Sequence, residues 1–254
     1  MPKIAIIAAL ERELGPLVRR WPKSKFTHDG REFTAYSTDS AVAICGGIGA
    51  ECGRRTAEAA VRRYAPELLV SAGVAGALVP ELRVGDTLFP AVVVDTRDGS
   101  RHDTALHRAD LGPRAPARAV LASHPAIAGC REKRRLHESY GADAVDMEGA
   151  SVARAAEVHG LEFLAVKAIS DEVNFEIAGL NRFVRGGEFE IGRLILHVLP
   201  RPWLWPKMIR LARNTRLAAE NLCAWLRESA LTHTMVPGTR AGMLPGKAGE
   251  GRKN

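Results

Sequence analysis

The stretch 141–174, GADAVDMEGASVARAAEVHGLEFLAVKAISDEVN, constrains this chain more than any other. Between residues 149 and 158 its apolar positions (Ala150, Val152, Ala153, Ala155, Ala156) are small and helix-compatible, and His159-Gly160 supplies a stop. Residues 163–169, FLAVKAI, then form an apolar run of strand length, with Ser170-Asp171 at its carboxyl end. In open α/β sheets ligands collect just beyond the carboxyl ends of strands. Two acidic clusters therefore bracket a helix–turn–strand unit: Asp146-Met147-Glu148 at the helix start and Ser170-Asp171-Glu172 at the strand end. Both clusters also have a plain structural use. Asp146 and Glu148 suit the positive end of a helix, and Asp171 suits the opening of a turn. The pattern alone leaves the two uses equally open.

A chain of 254 residues with 46% hydrophobic content can bury one sizeable α/β core. Its four cysteines, at 45, 52, 130 and 223, form no CxxC pair and no metal-ligand spacing. They read as reduced thiols of a cytoplasmic protein, with no metal and no cofactor expected. No run of 18 apolar residues exists and the N-terminus lacks a signal-peptide pattern, so neither membrane spanning nor export is expected. The formal net charge of +7 is compatible with an anionic surface, with nucleic acid, or with neither.

In chain order, residues 3–9 (KIAIIAA) read as a buried first strand that ends in LEREL, a short helix before Pro16. Glu11 and Glu13 are two apart and diverge on that helix, so one points inward and the other to solvent. Residues 23–40 read as a polar hairpin turning at Asp29-Gly30. Residues 41–45 form a strand closed by the GGIG string, and a helix follows over 51–64. The spacing Gly47-x-Gly49-x-x-x-Gly53 is one residue longer than a dinucleotide fingerprint, yet it still allows close backbone approach to a ligand. A strand over 68–72 precedes a second small-residue turn, 73–77, and a β-branched strand follows over 88–94. Three successive strands thus end in glycine-rich or acidic turns, which is how a nucleotide-sized pocket is built from backbone. The segment 95–125 reads as a polar loop with His102, His107 and His124 solvated and a strand at 118–123, and 132–140 as helical.

KIAIIAALERE, GGIG, AGVAGAL, RVGD, AVDMEGASVA and VKAISDE, in this order and spacing, resemble the nucleoside phosphorylase superfamily. The resemblance spans residues 3–185 and is strongest to the methylthioadenosine/S-adenosylhomocysteine nucleosidase branch. It implies a single α/β domain with a twisted mixed central sheet flanked by helices, a homodimer, and cleavage of a ribosyl C1′–N9 bond that releases adenine from a 5′-substituted adenosine. On that resemblance Asp171 protonates or hydrogen-bonds N7 of the departing purine, oriented by Ser170, and Glu13 activates water. Glu148 holds the ribose hydroxyls, Met147 packs on the sugar, and Ile48 lines the space for the 5′-group. Gly47, Ala75 and Gly76 supply backbone to the substrate pocket. Paired carboxylates, one acid and one base, follow the logic of inverting glycosidases.

Water and phosphate compete for the role of nucleophile. Ser71 stands where the phosphorylases carry a phosphate-binding arginine, which favours water. Val74 replaces a serine usual in the nucleosidases, and Arg54 or Arg55 could reach a phosphate. The region 94–142 is shorter than in the ordinary nucleosidases and lacks their aromatic base-stacking loop, with the sequence around Ile127 in its place. Shortened chains with an extra basic helix resemble the hopanoid-associated phosphorylase/nucleosidase group, whose substrate is taken to be an adenosylated lipid.

Residues 191–219 contain no acid but carry Arg193, Arg201, Lys207, Arg210, Arg213 and Arg216. Leu204, Met208, Leu211, Thr215, Leu222 and Leu226 share one helical face and Arg210, Arg213, Arg216 and Arg227 the other. Beyond a catalytic domain at 1–199, the reading is a basic amphipathic helix over 200–228 and a disordered tail over 229–254. The helix suits peripheral contact with an anionic inner membrane face through 201–227, or packing on its own domain or on a second subunit. Nucleic acid is not expected as a partner. The non-enzymatic alternative is a silent binding module, which would have no chemical need to keep Glu13, Glu148 and Asp171 together.

Overall fold

The computed structural model describes residues 2–108, 119–176 and 179–231. Five consecutive buried apolar residues make up β1 (Ile4–Ala8), a pattern that is stable only inside a sheet covered on both faces. Helix α1 (Glu11–Val18) follows, then the hairpin β2 (Lys23–His28) and β3 (Arg31–Ser37). The hairpin turns at Asp29 and Gly30, with φ of 45° and 72°, the paired positive values that a two-residue turn between twisted strands requires. Next come β4 (Ala41–Cys45), α2 (Ala50–Tyr64) and the long β5 (Leu68–Ala77). The chain continues through β6 (Thr87–Leu88), β7 (Val92–Asp95), β8 (Arg101–Asp103), α3 (Ala105–Arg108), β9 (Val120–Ser123), α4 (Cys130–Tyr140), β10 (Ala144–Asp146), α5 (Gly149–Val158) and β11 (Glu162–Asp171). It closes with a small ribbon, β12 (Val184–Arg185) and β13 (Glu188–Phe189), and with α6 (Ile191–Val198) and α7 (Trp205–Leu231).

One mixed sheet runs in the order β2-β3-β4-β1-β5-β10-β9-β7-β8, and β11 joins it through β5. β5 is its pivot. The first half of β5 lies parallel to β1, its whole length lies parallel to β11, and its last two residues pair antiparallel with β10. Alternation along β1 then divides the core in two. Ala5 and Ile7 join the small apolar residues of α2 and α5 on one face. Ile4, Ile6 and Ala8 meet Leu14, Leu17 and Val18 of α1 and Ala218, Leu222, Cys223 and Leu226 of α7 on the other. The far half of α7 is thus an integral part of the second core, while Arg210, Arg213 and Arg227 are exposed and Arg216 lies at the cavity. This is the single-domain sheet-and-helix architecture expected from the sequence. The tail beyond residue 231 lies outside the described residues.

Several local expectations are corrected. Residues 73–77 are the second half of β5 and not a turn, because β11 and β10 hydrogen-bond to them. The single strand expected over 88–94 is two, since Pro90 has no N–H to give a ladder. β6 pairs with β11, and β7 pairs with β9. α1 continues through Pro16 to bury Leu17 and Val18. His102 is buried, with Nδ1 2.9 Å from Glu157, and His124 bonds Thr96 at 3.0 Å, so neither is a solvated loop histidine.

Candidate active site

Three carboxylates, each carried by a different element, reach one cavity of about 750 Å³. α1 begins right after β1, at the carboxyl edge of the sheet, and its third residue is Glu13. Glu13 is buried, whereas Glu11 turns away to accept from the Tyr36 hydroxyl at 2.5 Å. The predicted divergence of the pair is realised with Glu13 inward. Asp171 ends β11, where the pairing with β5 slips by one residue between Ile169 and Asp171. Glu148 stands at the start of α5, and its Oε1 accepts from the Gly49 N–H at 2.6 Å, at the start of α2.

The two acids of the DME cluster have separate jobs. Asp146 is the helix cap: Oδ2 accepts from the Gly149 N–H at 2.8 Å and Oδ1 from the Ser123 hydroxyl at 2.6 Å. It also pairs with Lys167, Nζ to Oδ2 at 2.8 Å, both side chains at most 2% exposed. Lys167 donates further to Ser71 Oγ at 2.9 Å, so Ser71 serves this ion pair. Glu148 makes no cap bond and is left to the cavity. Lys167 is also a neighbour of Glu13: a side chain added at Gly73 would come within 3.2 Å of Glu13 Oε2 and 3.9 Å of Lys167 Nζ.

Burial raises the Glu13 carboxyl above its ordinary value, and the Lys167 charge partly opposes the shift. Burial together with the Asp146 charge pushes Glu148 up to about 8, against partial relief from Lys167 and the Gly49 N–H. The shift makes Glu13 a stronger proton acceptor than an ordinary carboxylate. Asp171 is held on both oxygens: the Ser170 hydroxyl donates to Oδ1 at 2.7 Å, and Lys133 donates to Oδ2.

Of the residues singled out in the sequence, Glu13, Glu148, Asp171, Met147, Ser170, Ile48, Ala75 and Gly76 all line the cavity. Gly47 does not. A side chain there would run into the Gly187 carbonyl at 2.7 Å, and it is Gly49 whose N–H meets Glu148. The glycine string approaches the site through Ile48, which lines the cavity, and through the Gly49 N–H on Glu148. Ile127 lines the cavity as anticipated, and Asn181 holds its backbone N–H at 2.7 Å and its carbonyl at 3.0 Å. Phe175 and Lys133 are among the lining residues that the sequence does not single out. Phe175 is the one aromatic lining side chain among the described residues, and nothing in its surroundings in sequence marks it. Lys133 is the other, with a faint signal: it shares a helical stripe with Leu136 and Tyr140, where an apolar residue is expected. Arg54 and Arg55 are absent from the lining and pair with Glu51 and Glu58 along α2. Among the described residues no cluster of His, Cys, Asp and Glu is arranged to hold a metal ion.

The Glu148 shift has a thermodynamic consequence. Between its ordinary value of 4.5 and about 8 the folded chain keeps a proton that the unfolded chain has lost. Stability of the ligand-free protein therefore falls as pH rises through that window, by at most about 1.4 kcal/mol per pH unit. Glu148→Gln should flatten the fall in melting temperature between pH 5 and pH 8. An unchanged slope in the variant would contradict the assignment.

The phosphorylase superfamily model matches residues 3–128 and 108–190. The aminodeoxyfutalosine nucleosidase of Campylobacter jejuni is 25% identical over 198 residues, which covers 68% of this chain and 86% of that protein. The 5′-methylthioadenosine/S-adenosylhomocysteine nucleosidase of Shewanella halifaxensis is 26% identical over 207 residues, 68% of this chain and 87% of that one. Among solved structures, the futalosine hydrolase of Helicobacter pylori shares the fold with a TM-score of 0.66 at 18% identity, covering 91% of this chain and 98% of that one. The Neisseria meningitidis 5′-methylthioadenosine/S-adenosylhomocysteine nucleosidase, in complex with methylthio-immucillin-A, does so with a TM-score of 0.66 at 16% identity, covering 92% and 100%. The chain belongs to the phosphorylase superfamily and is an enzyme of its nucleosidase or phosphorylase type.

Proposed function

We propose that the protein hydrolyses the N-glycosidic bond of a 5′-substituted adenosine and releases adenine. The observation that carries this reading is the convergence of Glu13, Glu148 and Asp171 on one cavity. A ribosyl–purine bond breaks through an oxocarbenium-like transition state, which needs three things at once. The base must leave neutral, the sugar must be gripped by its hydroxyls, and a nucleophile must be deprotonated on the face opposite the base. Asp171 serves the base at N7. Glu148, beside the sugar, holds the 2′- and 3′-hydroxyls by hydrogen bonds. Glu13 takes the proton of the attacking water.

Water is favoured over phosphate because Lys133 and Arg216 of the lining are paired with Asp171 and Glu220, and the other cations considered are engaged as well. Lys167 is bound to Asp146 and Ser71, and Arg54 and Arg55 lie outside the cavity lining in pairs with Glu51 and Glu58. The outer part of the cavity is lined by Ile191, Leu194, Met208 and Leu211 of α6 and α7, which supports an apolar 5′-substituent. Exposed Ile195, Leu196, Leu199, Trp203 and Ile209 continue that apolar surface, on a segment that carries six basic residues and no acid. Charge and apolarity together fit an anionic bilayer, and with it a lipid-linked adenosine, as occupant of this face. No helix among the described residues is long and apolar enough to cross a membrane, so the contact would be peripheral.

Adenine release from 5′-methylthioadenosine, adenosine and an adenosine with a long 5′-alkyl chain should proceed without phosphate. Asp171→Asn and Glu13→Gln should each lower kcat by about 100- to 10,000-fold while the fold is kept. Strict dependence on phosphate would overturn the choice of water, and no release in any condition would overturn the reading. For the surface, the protein should co-sediment with vesicles containing phosphatidylglycerol, and a Leu196→Ser, Trp203→Ser, Ile209→Ser variant should not. Equal sedimentation of the variant would contradict the membrane contact.

A further inference from the structure

Lys133 is among the largest fully buried side chains, yet nothing in the reaction scheme above uses it. It rises from the first turn of α4 with 1% of its side chain exposed. Burying an ammonium costs several kcal/mol unless its protons are matched. Here they are matched by Asp171 Oδ2, by the Glu172 carbonyl at 2.7 Å and by the Phe175 carbonyl at 3.5 Å. The room for this pair comes from β5. A side chain at Gly76 would lie 3.0 Å from Asp171 Oδ2 and 3.3 Å from Lys133 Cε. A strand residue with no side chain, a buried ammonium and the acid nearest the leaving base therefore form one built unit.

The hydrogen bonds around Asp171 limit what it can do alone. An ammonium has three donors and no acceptor, so Oδ2 accepts from Lys133, and Oδ1 accepts from the Ser170 hydroxyl. In this arrangement both oxygens act as acceptors, and of the two side chains that donate to Asp171 the Lys133 ammonium is a better acid than the neutral Ser170 hydroxyl. We infer that Lys133 is the proton source for the leaving base, a positioning residue that acts through Asp171. This rests on the glycosidic-cleavage reading. A proton passes from Nζ to the Asp171 carboxylate and from there to N7 as the C1′–N9 electron pair moves onto N9. Adenine departs neutral and Lys133 is left as the amine. Water adds to C1′ and gives its proton to Glu13. Release of that proton to solvent and uptake of one by Lys133 restore the starting state.

The test compares two leaving groups on the same sugar: adenine in 5′-methylthioadenosine, which must be protonated, and 4-nitrophenolate in the matching 5-methylthio-β-D-riboside, which need not be. Lys133→Met should lose about 100- to 10,000-fold on the purine and less than tenfold on the nitrophenyl riboside. Survival of the second activity also reports an intact site. Lys133→Arg keeps the charge and the donors but does not give up a proton, so it should stay slow on the purine alone. Lys133→Ala should regain purine cleavage when methylammonium is added. Equal losses on both substrates with no methylammonium effect would overturn the inference, as would full purine activity in Lys133→Met or Lys133→Arg. Wild-type protein inactive on both substrates would instead defeat the underlying reading.

Discussion

The buried ion pair between Lys167 and Asp146 is the interaction on which the site depends. Each charge removed from water costs several kcal/mol, and the pair is tolerated because its remaining partners are complete. Ser71 accepts a hydrogen bond from Lys167, while the Ser123 hydroxyl and the Gly149 N–H donate to Asp146. The pair fastens β11 to the start of α5 and places a fixed positive charge beneath Glu13 and Glu148. Without that charge, two acids buried in one cavity would be still harder to ionise, since burial already raises both. One interaction thus positions the helix start that bears Glu148 and adjusts the acidity of the group that faces water.

The middle of the sheet is shaped to accommodate these groups. β5 has no side chain at Gly73 and Gly76, the two points where Glu13 with Lys167, and Asp171 with Lys133, come against it. The two carboxylates assigned to opposite ends of the reaction rest along one strand, three residues apart in register. A side chain at either glycine would press on a carboxylate oxygen, so spacing along β5 sets the spacing of the acids. Helices α6 and α7 then supply the outer wall, and α7 is locked in place by Leu222 and Leu226 in the second core.

Much of this could be read from residues in order, for physical reasons that also explain the misses. β1, β4, α2, α5 and β11 have strong periodicity or unbroken apolar runs, and their bounds came out within a residue or two. The second half of β5 is hidden in the sequence because Gly73-Val74-Ala75-Gly76-Ala77 looks like a flexible turn. Its glycines answer to carboxylates brought in from distant elements, which local pattern does not reveal. The DME cluster pointed to the site, but which acid caps the helix and which faces the cavity is settled only by Lys167 and Gly49. Gly47 and Gly49 are alike in sequence, since either glycine fits a loop before a helix, and only the Gly49 N–H meets Glu148. Lys133 left only a lysine on an otherwise apolar stripe, a sign too faint to tie it to Asp171, which is 38 residues away.

The account reduces to a placement: base against Asp171, sugar hydroxyls on Glu148, and water between Glu13 and C1′. A crystal structure with an uncleavable adenosine analogue, its base joined to C1′ through carbon and bearing an N–H at the N7 position, tests that placement directly. The account predicts the N–H within hydrogen-bond distance of Asp171, the 2′- and 3′-hydroxyls on Glu148, and a water held by Glu13 on the opposite face of the sugar. An analogue bound with its base away from Asp171, or with Glu13 on the same side of the sugar as the base, would contradict it.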